Sequence, residues 1–253
     1  MDNMNQEAPA EQEAPKKKVL IFDCFGVVCG EALQIWAHAH DLYADQFKSD
    51  KIKDISHRGD LGELSSSDIF TFFGEMTGQT LDQVRSEWIS AAQANRTLLP
   101  MLERLRQDYK IILLSNASSD FLRSILDQFH LYDYFDGVFI SSEMHLAKPD
   151  AAIYKKVLEI IGAKPEECVF IDDSPKNIEG ARAVGIDAIQ YVASYQVQQE
   201  LESLLKKDEP KAEEKPEEDK WAMPEENEQT PPPIEPAAPM PPQFDPMHPN
   251  QTV

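Results

Sequence analysis

The sequence predicts an α/β fold, in which a doubly wound parallel sheet carries helices on both faces. Short apolar runs rich in β-branched and aromatic residues alternate with helical patterns along much of the chain. Such runs are typical of strands buried on both faces, and their alternation with helices requires parallel strands joined by right-handed crossovers. A helical stretch without strand-like runs interrupts this alternation, and polar segments flank it. We therefore expect a sheet core with an inserted α-helical cap and disordered termini.

The strand predictions depend on five apolar runs. They cover residues 19–22, 111–114, 138–140, 169–171 and 188–189. Helical periodicity separates the later runs and predicts helices over residues 98–109, 119–129, 151–161 and 177–184. In an open sheet of this kind, ligands bind beyond the carboxyl ends of the strands. That edge of the sheet is therefore where the sequence predicts chemistry.

The cap is predicted over residues 31–95, where no strand-like run occurs. One helix is expected over residues 33–47, and two more begin at the capping-box patterns Ser65-x-x-Asp68 and Thr80-x-x-Gln83. Residues 18–30 and 96–206 then form the α/β core. Because the insertion directly follows the first strand, we expect it to cover the edge of the sheet that carries the chemistry.

Both ends of the chain differ in composition from this core. Residues 1–17 are polar, and residues 207–253 are rich in proline and carry twelve acidic residues against four lysines. Such segments cannot bury enough apolar surface to offset the entropy lost on ordering. We predict a disordered N-terminal arm and a disordered acidic tail, and the tail is a candidate site for a protein partner.

Charge and composition exclude several classes of protein. The formal net charge of −21 argues against a groove that binds nucleic acid and against binding to an anionic membrane surface, since both kinds of binding need basic residues. No apolar run is long enough for a signal peptide or a membrane span. The three cysteines, Cys24, Cys29 and Cys168, form no CxxC pair and read as free thiols of a reducing compartment. The sequence therefore predicts a cytoplasmic protein.

Polar side chains follow four of the predicted strands, and each strand end carries a different chemical group. These side chains are Asp23, the pair Ser115 and Asn116, Lys148, and the pair Asp172 and Asp173. In a parallel sheet such ends converge on one crevice. Three carboxylates, one ammonium group and a hydroxyl–amide pair would then face one another, which suits phosphoryl chemistry.

Each of these groups has a role in phosphoryl chemistry. Mg²⁺ prefers hard oxygen ligands and uses one or two carboxylates, which Asp23 and Asp172 can supply. Lys148 would reduce the repulsion between carboxylates and hold a phosphate oxygen, while Ser115 and Asn116 donate hydrogen bonds to it. With this charge neutralised, Asp23 can attack phosphorus and form an aspartyl-phosphate.

In this order, the four clusters resemble the motifs of the haloacid dehalogenase superfamily, and the resemblance covers about residues 18–206. It implies a Rossmann-like core and a small helical cap. It also implies that Asp23 is the nucleophile and that Lys148 stabilises both nucleophile and phosphate. The ligand sets implied are Ser115, Asn116 and Lys148 for phosphate, and Asp23, the Phe25 carbonyl, Asp172 and Asp173 for Mg²⁺.

One position departs from the family pattern. Phosphatases of this superfamily usually carry an aspartate two residues after the nucleophile as the general acid and base, and here that residue is Phe25. The alternatives are a phosphatase without this acid, a haloacid dehalogenase, or a catalytically weak binding protein that works through its tails. Val27, and the absence of any arginine between Asp23 and Arg58, argue against the dehalogenase.

The sequence thus predicts a Mg²⁺-dependent phosphatase of a small phosphorylated metabolite. It does not specify the substrate, the oligomeric state or the source of the proton for the leaving group. Because Phe25 cannot donate a proton to the leaving group, we predict that kcat/KM depends steeply on the pKa of the leaving group. A flat dependence would indicate that another residue, for example one from the cap, supplies the proton.

Overall fold

The structure, a computed structural model, describes residues 17–42 and 49–206. Apart from Lys17, the predicted N-terminal arm lies outside these residues, as does the whole predicted tail. The Lys17 side chain is buried, and its Nζ donates to the Glu166 carbonyl oxygen at 2.6 Å and pairs with Asp187. No helix in these described ranges is long and apolar enough to cross a membrane.

A five-stranded sheet forms the centre of the core. Its strands are β1 (Val19–Phe22), β2 (Lys110–Ser115), β3 (Gly137–Ile140), β4 (Cys168–Asp172) and β5 (Asp187–Gln190). They lie in the order β3-β2-β1-β4-β5, and every neighbouring pair is parallel. Each predicted strand is present, at most one residue longer at either end. The α/β fold class is therefore confirmed.

Four described helices follow β1 along the chain. They are α1 (Ala32–Ala39), α2 (Asp50–Asp60), α3 (Ser66–Thr77) and α4 (Leu81–Ala91). Helices α3 and α4 begin at the two predicted capping boxes. Helix α1 ends at Ala39 rather than at residue 47, because Asp41 adopts a left-handed conformation with φ of 54°. Residues 43–48 lie outside the described part of the chain.

The remaining helices connect or flank the later strands. They are α5 (Leu99–Leu105), α6 (Ser119–Gln128), α7 (Ser141–Met144), α8 (Ala151–Ile161), α9 (Pro175–Ala183) and α10 (Ser194–Lys206), with 3₁₀ turns at Tyr132–Tyr134 and Pro165–Glu167. Helix α5 is shorter than predicted, and α10 was not predicted.

Alternate residues of each strand bury their side chains on opposite faces of the sheet. In β1, Leu20 and Phe22 join a cluster with α5, α6, α10 and helices α1 to α4, which we call the cap helices. Val19 and Ile21 pack with α8 and α9 on the other face. Both faces are therefore covered, as a doubly wound sheet requires. Because the cap shares its apolar cluster with one face, it is packed directly on the core.

Candidate active site

A cavity of about 310 Å³ lies between the carboxyl ends of the strands and the cap helices. We call its two halves the core side and the cap side. The core side presents Asp23, Asn116, Lys148, Asp173 and Asn177, and the cap side presents Glu31, Asp60, Ser66, Phe70 and Trp88. The sequence predicted site residues at this edge of the sheet, and five of them line the cavity: Asp23, Phe25, Asn116, Lys148 and Asp173.

Asp23 directly follows the central strand β1, and its backbone N–H still bonds to the neighbouring strand at the Ile171 carbonyl (2.9 Å). The carboxylate is buried. Its Oδ1 accepts hydrogen bonds from Lys148 Nζ at 2.8 Å and from the Cys24 backbone N–H at 2.7 Å. Its Oδ2 accepts none from the described residues. One oxygen thus holds the side chain in place, and the other is left for a ligand.

Lys148 is the cation at the centre of the site, and it is buried on the core side. Its Nζ contacts three acceptors: Asp23, Asp172 Oδ2 at 2.7 Å and the Leu114 carbonyl at 3.0 Å. Burial lowers the pKa of this ammonium group, but the two carboxylates outweigh burial and hold the pKa above its ordinary value. Lys148 therefore stays protonated and orients the nucleophile candidate.

The acidic pair after β4 is divided between two environments. Asp172 is fully buried beneath the cavity and accepts hydrogen bonds from the Ser174 backbone at 2.8 Å and from Asn177 Nδ2 at 3.0 Å. Asp173 faces the cavity, and no side chain of the described residues donates a hydrogen bond to its carboxylate. Its carboxylate lies close to Gly26, where a Cβ would come within 2.7 Å of Asp173 Cγ, and Gly26 has a φ of +85° that favours glycine.

Three carboxylates at this site have one ammonium group to balance them. Oxygen atoms of Asp23, Asp172 and Asp173 all lie within 4.8 Å of one another. Burial raises the pKa of Asp23 well above its ordinary value although Lys148 opposes the shift, and burial and Asp172 raise the pKa of Asp173. A hard divalent cation with oxygen ligands fits this excess of negative charge, and Mg²⁺ is such a cation.

The two polar residues after β2 differ from each other in their environment. Ser115 is fully buried, and its Oγ has no hydrogen-bond partner among the described residues. The Asn116 side chain donates to the Lys148 carbonyl and accepts from the Lys148 backbone N–H, both at 2.9 Å. Asn116 was predicted to donate a hydrogen bond to phosphate, and this stays a prediction. In the structure its side-chain amide bonds the backbone of Lys148 on both sides and so positions that residue.

The cap side is largely apolar. Phe70 and Trp88 pack edge to face at 5.3 Å between ring centroids, and both contact Phe121 of α6. Phe25, predicted to supply a carbonyl ligand, lines the cavity and stacks on Phe121 at 5.9 Å. Its ring has no group that can donate or accept a proton. Nearby, Ser66 donates a hydrogen bond to Asp120 and ties α3 to the core helix α6.

Sequence reasoning missed two carboxyl groups on the cap side. Burial raises the pKa of Asp60, the last residue of α2, to about 7. Burial and the nearby Asp173 raise the pKa of Glu31, just before α1, to about 7 as well. Neither residue belongs to a recognisable pattern, and α2 itself was missed because Ile52 and Ile55 are its only large apolar residues. Only the packing of the cap shows that these groups face the cavity.

The family model for haloacid dehalogenase-like hydrolases matches residues 17–185. Among curated proteins, the chain is 26% identical to sesquiterpene phosphatase astK of Aspergillus oryzae, over 57% of this chain and 76% of that protein. It is 34% identical to phosphatase MT3486 of Mycobacterium tuberculosis, over 42% of this chain and 49% of that protein. The chain therefore spans three quarters of the first relative but only about half of the second.

Solved structures with the same fold are also similar to this chain. The HAD family enzyme bt-2542 of Bacteroides thetaiotaomicron superimposes with a TM-score of 0.63 at 25% identity, over 74% of this chain and 99% of that one. The same enzyme in complex with magnesium and inorganic phosphate superimposes with a TM-score of 0.57 at 26% identity, over 70% of this chain and 95% of that one. A neighbour with this fold therefore binds both ligands.

Proposed function

This chain belongs to the haloacid dehalogenase-like hydrolases, and we propose that it is a Mg²⁺-dependent phosphatase acting on a small phosphate monoester through an aspartyl-phosphate on Asp23. One observation carries the proposal: Asp23, whose Oδ2 accepts no hydrogen bond from the described residues, lines the cavity and belongs to a cluster of three carboxylates. The phosphatase names of the relatives and the magnesium–phosphate complex of the neighbour support it.

In this proposal the residues of the core side divide the work. Lys148 holds Oδ1 of Asp23, so Oδ2 is the oxygen that attacks phosphorus. The unpartnered Ser115 hydroxyl is a donor for a phosphate oxygen. Asp23, the Phe25 carbonyl, Asp172 and Asp173 would hold Mg²⁺, and the bound ion would stabilise negative charge on the phosphate oxygens.

The alternatives are less consistent with the site. A haloacid substrate carries its own carboxylate, which Asp173 would repel across the cavity, and a metal-free dehalogenase gains nothing from three clustered carboxylates. A binding protein without activity has no need for a nucleophile candidate that is oriented by a buried ammonium group. Two such buried ion pairs are costly to build unless they serve a function.

The test is a screen of small phosphate esters with and without Mg²⁺, in the unaltered protein, in Asp23→Asn and in the matched control Asp127→Asn, whose carboxylate is exposed on α6. We expect hydrolysis only with Mg²⁺, its loss with EDTA and in Asp23→Asn, and normal rates in the control. Hydrolysis that survives EDTA or Asp23→Asn would refute the assignment. Metal-independent chloride release from 2-chloropropionate would instead establish the dehalogenase.

A further inference from the structure

The end of helix α2 is held against the core at two points next to Asp60. The Leu61 carbonyl accepts a hydrogen bond from His145 Nδ1 at 2.9 Å. Gly62 has a φ of +75° and lies so close to the core that a Cβ would come within 2.5 Å of the Ser142 carbonyl oxygen. These contacts hold the turn against helix α7 and its C-cap residue. They therefore hold Asp60 at a defined position on the cap side of the cavity.

The Asp60 carboxyl lines the cavity and is only partly accessible to solvent. It forms no hydrogen bond and no ion pair with the described residues. Arg58, two residues earlier, pairs with Asp54 and Glu63 instead. Burial raises the pKa of Asp60 to about 7, with Lys148 acting in the opposite direction. A carboxyl with this pKa exists as both acid and base at neutral pH, which is what proton transfer in both directions needs.

The geometry of phosphoryl transfer also places the leaving group on the cap side. In phosphoryl transfer the attacking and leaving oxygens are roughly in line with phosphorus. If Asp23 attacks from the core side, the leaving oxygen departs toward the cap side, where Asp60 lies. Phe25, which occupies the position of the usual acid, has no proton to donate. The cavity thus needs a proton donor on the cap side and contains an unpartnered carboxyl there.

We propose that Asp60 is the general acid and base of the reaction, an inference that rests on the proposed phosphatase function. As the bond from Asp23 Oδ2 to phosphorus forms and the phosphorus–oxygen bond of the ester breaks, the Asp60 proton moves to the leaving oxygen and an alcohol departs. Asp60, now a carboxylate, then takes a proton from water as the water oxygen bonds to phosphorus. The Asp23–phosphorus bond breaks, and inorganic phosphate is released with Asp60 protonated again.

Glu31 is the other acidic residue on the cap side, and two observations favour Asp60 over it. Glu31 already accepts a hydrogen bond from Gln34 Nε2 at 3.3 Å. It also interacts with the Asp173 charge, which belongs to the carboxylate cluster. A cation bound by that cluster would favour ionised Glu31 and leave it without a proton to donate. Asp60 interacts electrostatically with Lys148 alone.

The experiment measures kcat/KM in Mg²⁺ for a series of aryl and alkyl phosphates with leaving groups of increasing pKa. It compares the full chain with Asp60→Asn, with Glu31→Gln, and with the control Glu63→Gln, which removes a neighbouring exposed carboxylate. For Asp60→Asn we expect a loss of about 10²–10⁴-fold on alkyl phosphates and little change on 4-nitrophenyl phosphate, whose leaving group needs no proton. In contrast to the steep dependence predicted from the sequence, the dependence on leaving-group pKa should be shallow in the full chain and in Glu63→Gln, because Asp60 supplies the proton.

Other outcomes would overturn either the role of Asp60 or the phosphatase function itself. An Asp60→Asn protein that folds, as shown by its melting curve, and keeps the shallow dependence would overturn the role of Asp60. Equal losses on both kinds of substrate would do the same. A selective loss in Glu31→Gln alone would assign the acid to Glu31. Failure of the full chain to hydrolyse any ester would instead refute the phosphatase function, so the two failures are distinguishable.

Discussion

The core side and the cap side of the cavity treat their carboxyl groups in opposite ways. On the core side, Asp23 and Asp172 are buried and held by hydrogen bonds from Lys148, Asn177 and backbone N–H groups. On the cap side, Asp60 has no hydrogen-bond or ion-pair partner among the described residues, and it lines the cavity together with apolar side chains such as Phe70. The carboxylates of Asp23 and Asp172 are thus held in place by the protein itself, whereas the carboxyl of Asp60 is not.

This difference separates the groups that must be oriented from the groups that must change protonation. A nucleophile needs a fixed oxygen, and the Lys148 ammonium group, held by three acceptors, supplies that constraint to Asp23. A proton donor needs a pKa near the working pH, which an apolar and unpaired environment provides. Four predictions test whether the two sides differ in this way, from the largest expected effect to the smallest.

The largest loss of stability and activity is expected when the Lys148 ammonium group is removed. Lys148→Met leaves the buried carboxylates of Asp23 and Asp172 without their partner, so we expect the free energy of unfolding to fall by about 3–5 kcal/mol and activity to be lost. Urea denaturation in EDTA measures the change, with the exposed Lys156→Met as the control. The double variant Lys148→Met/Asp23→Asn should recover part of the loss. A loss no larger than that of the control would contradict this account.

The second largest loss of stability is expected on removal of the Asn116 amide, which positions Lys148. Asn116→Ala leaves the backbone N–H and carbonyl of Lys148 without their side-chain partners, and we expect a loss of about 1–3 kcal/mol in the free energy of unfolding. Denaturation of this variant is compared with that of Gln107→Ala, an exposed amide of similar size. If Asn116 served only as a phosphate donor, stability would be unchanged and KM alone would rise.

On the cap side we expect a substitution to raise the free energy of unfolding rather than to lower it. The pKa of Asp60 lies near 7 in the folded protein, above its ordinary value of 3.8. The stability this carboxyl contributes is fully present below the unfolded pKa and is lost as pH rises through 7. Asp60→Asn should therefore be more stable than the unaltered protein at pH 8, by about 1–2 kcal/mol after allowing for partial solvent screening, and the gain should shrink at pH 4.

Denaturation of both proteins at the two pH values in EDTA checks this difference. The other ionisable groups of the cavity are present in both proteins and largely cancel in the comparison; they are Asp23, Glu31, Lys148 and Asp173. Glu63→Gln serves as the control, since its carboxylate is exposed and paired with Arg58. An equal gain at pH 4 and pH 8 would show that Asp60 is not the titrating group.

The smallest effect is expected outside the cavity. The composition of residues 1–16 and 207–253 predicts that neither segment contributes to the core. We expect a chain without them to keep its melting temperature and its phosphatase activity nearly unchanged. Thermal denaturation and the ester assay measure both properties. A large drop in melting temperature after removal of residues 207–253 would show that this segment packs on the domain.

Several features of the fold followed from local patterns. The five strands were predictable because strands covered on both faces are continuous apolar runs, as in Ile111 to Leu114. Helices α3 and α4 were predictable because their capping boxes are local in sequence. Helix α2 was not, since it has few apolar residues and depends on packing against α3 and α7. The end of α1 depended on the backbone conformation of Asp41, which no pattern indicates.

The sequence alone was sufficient to place Asp23, Lys148, Asp172 and Asp173 at one site, because parallel strands bring their carboxyl ends to one edge of the sheet whatever the details of packing. Only the tertiary structure decided what faces them. The direction of a cap side chain depends on how its helix docks, and no local rule specifies that docking. For this reason the contacts of Leu61 and Gly62 with the core, and not the sequence around Asp60, place a second carboxyl at the cavity that Asp23 lines.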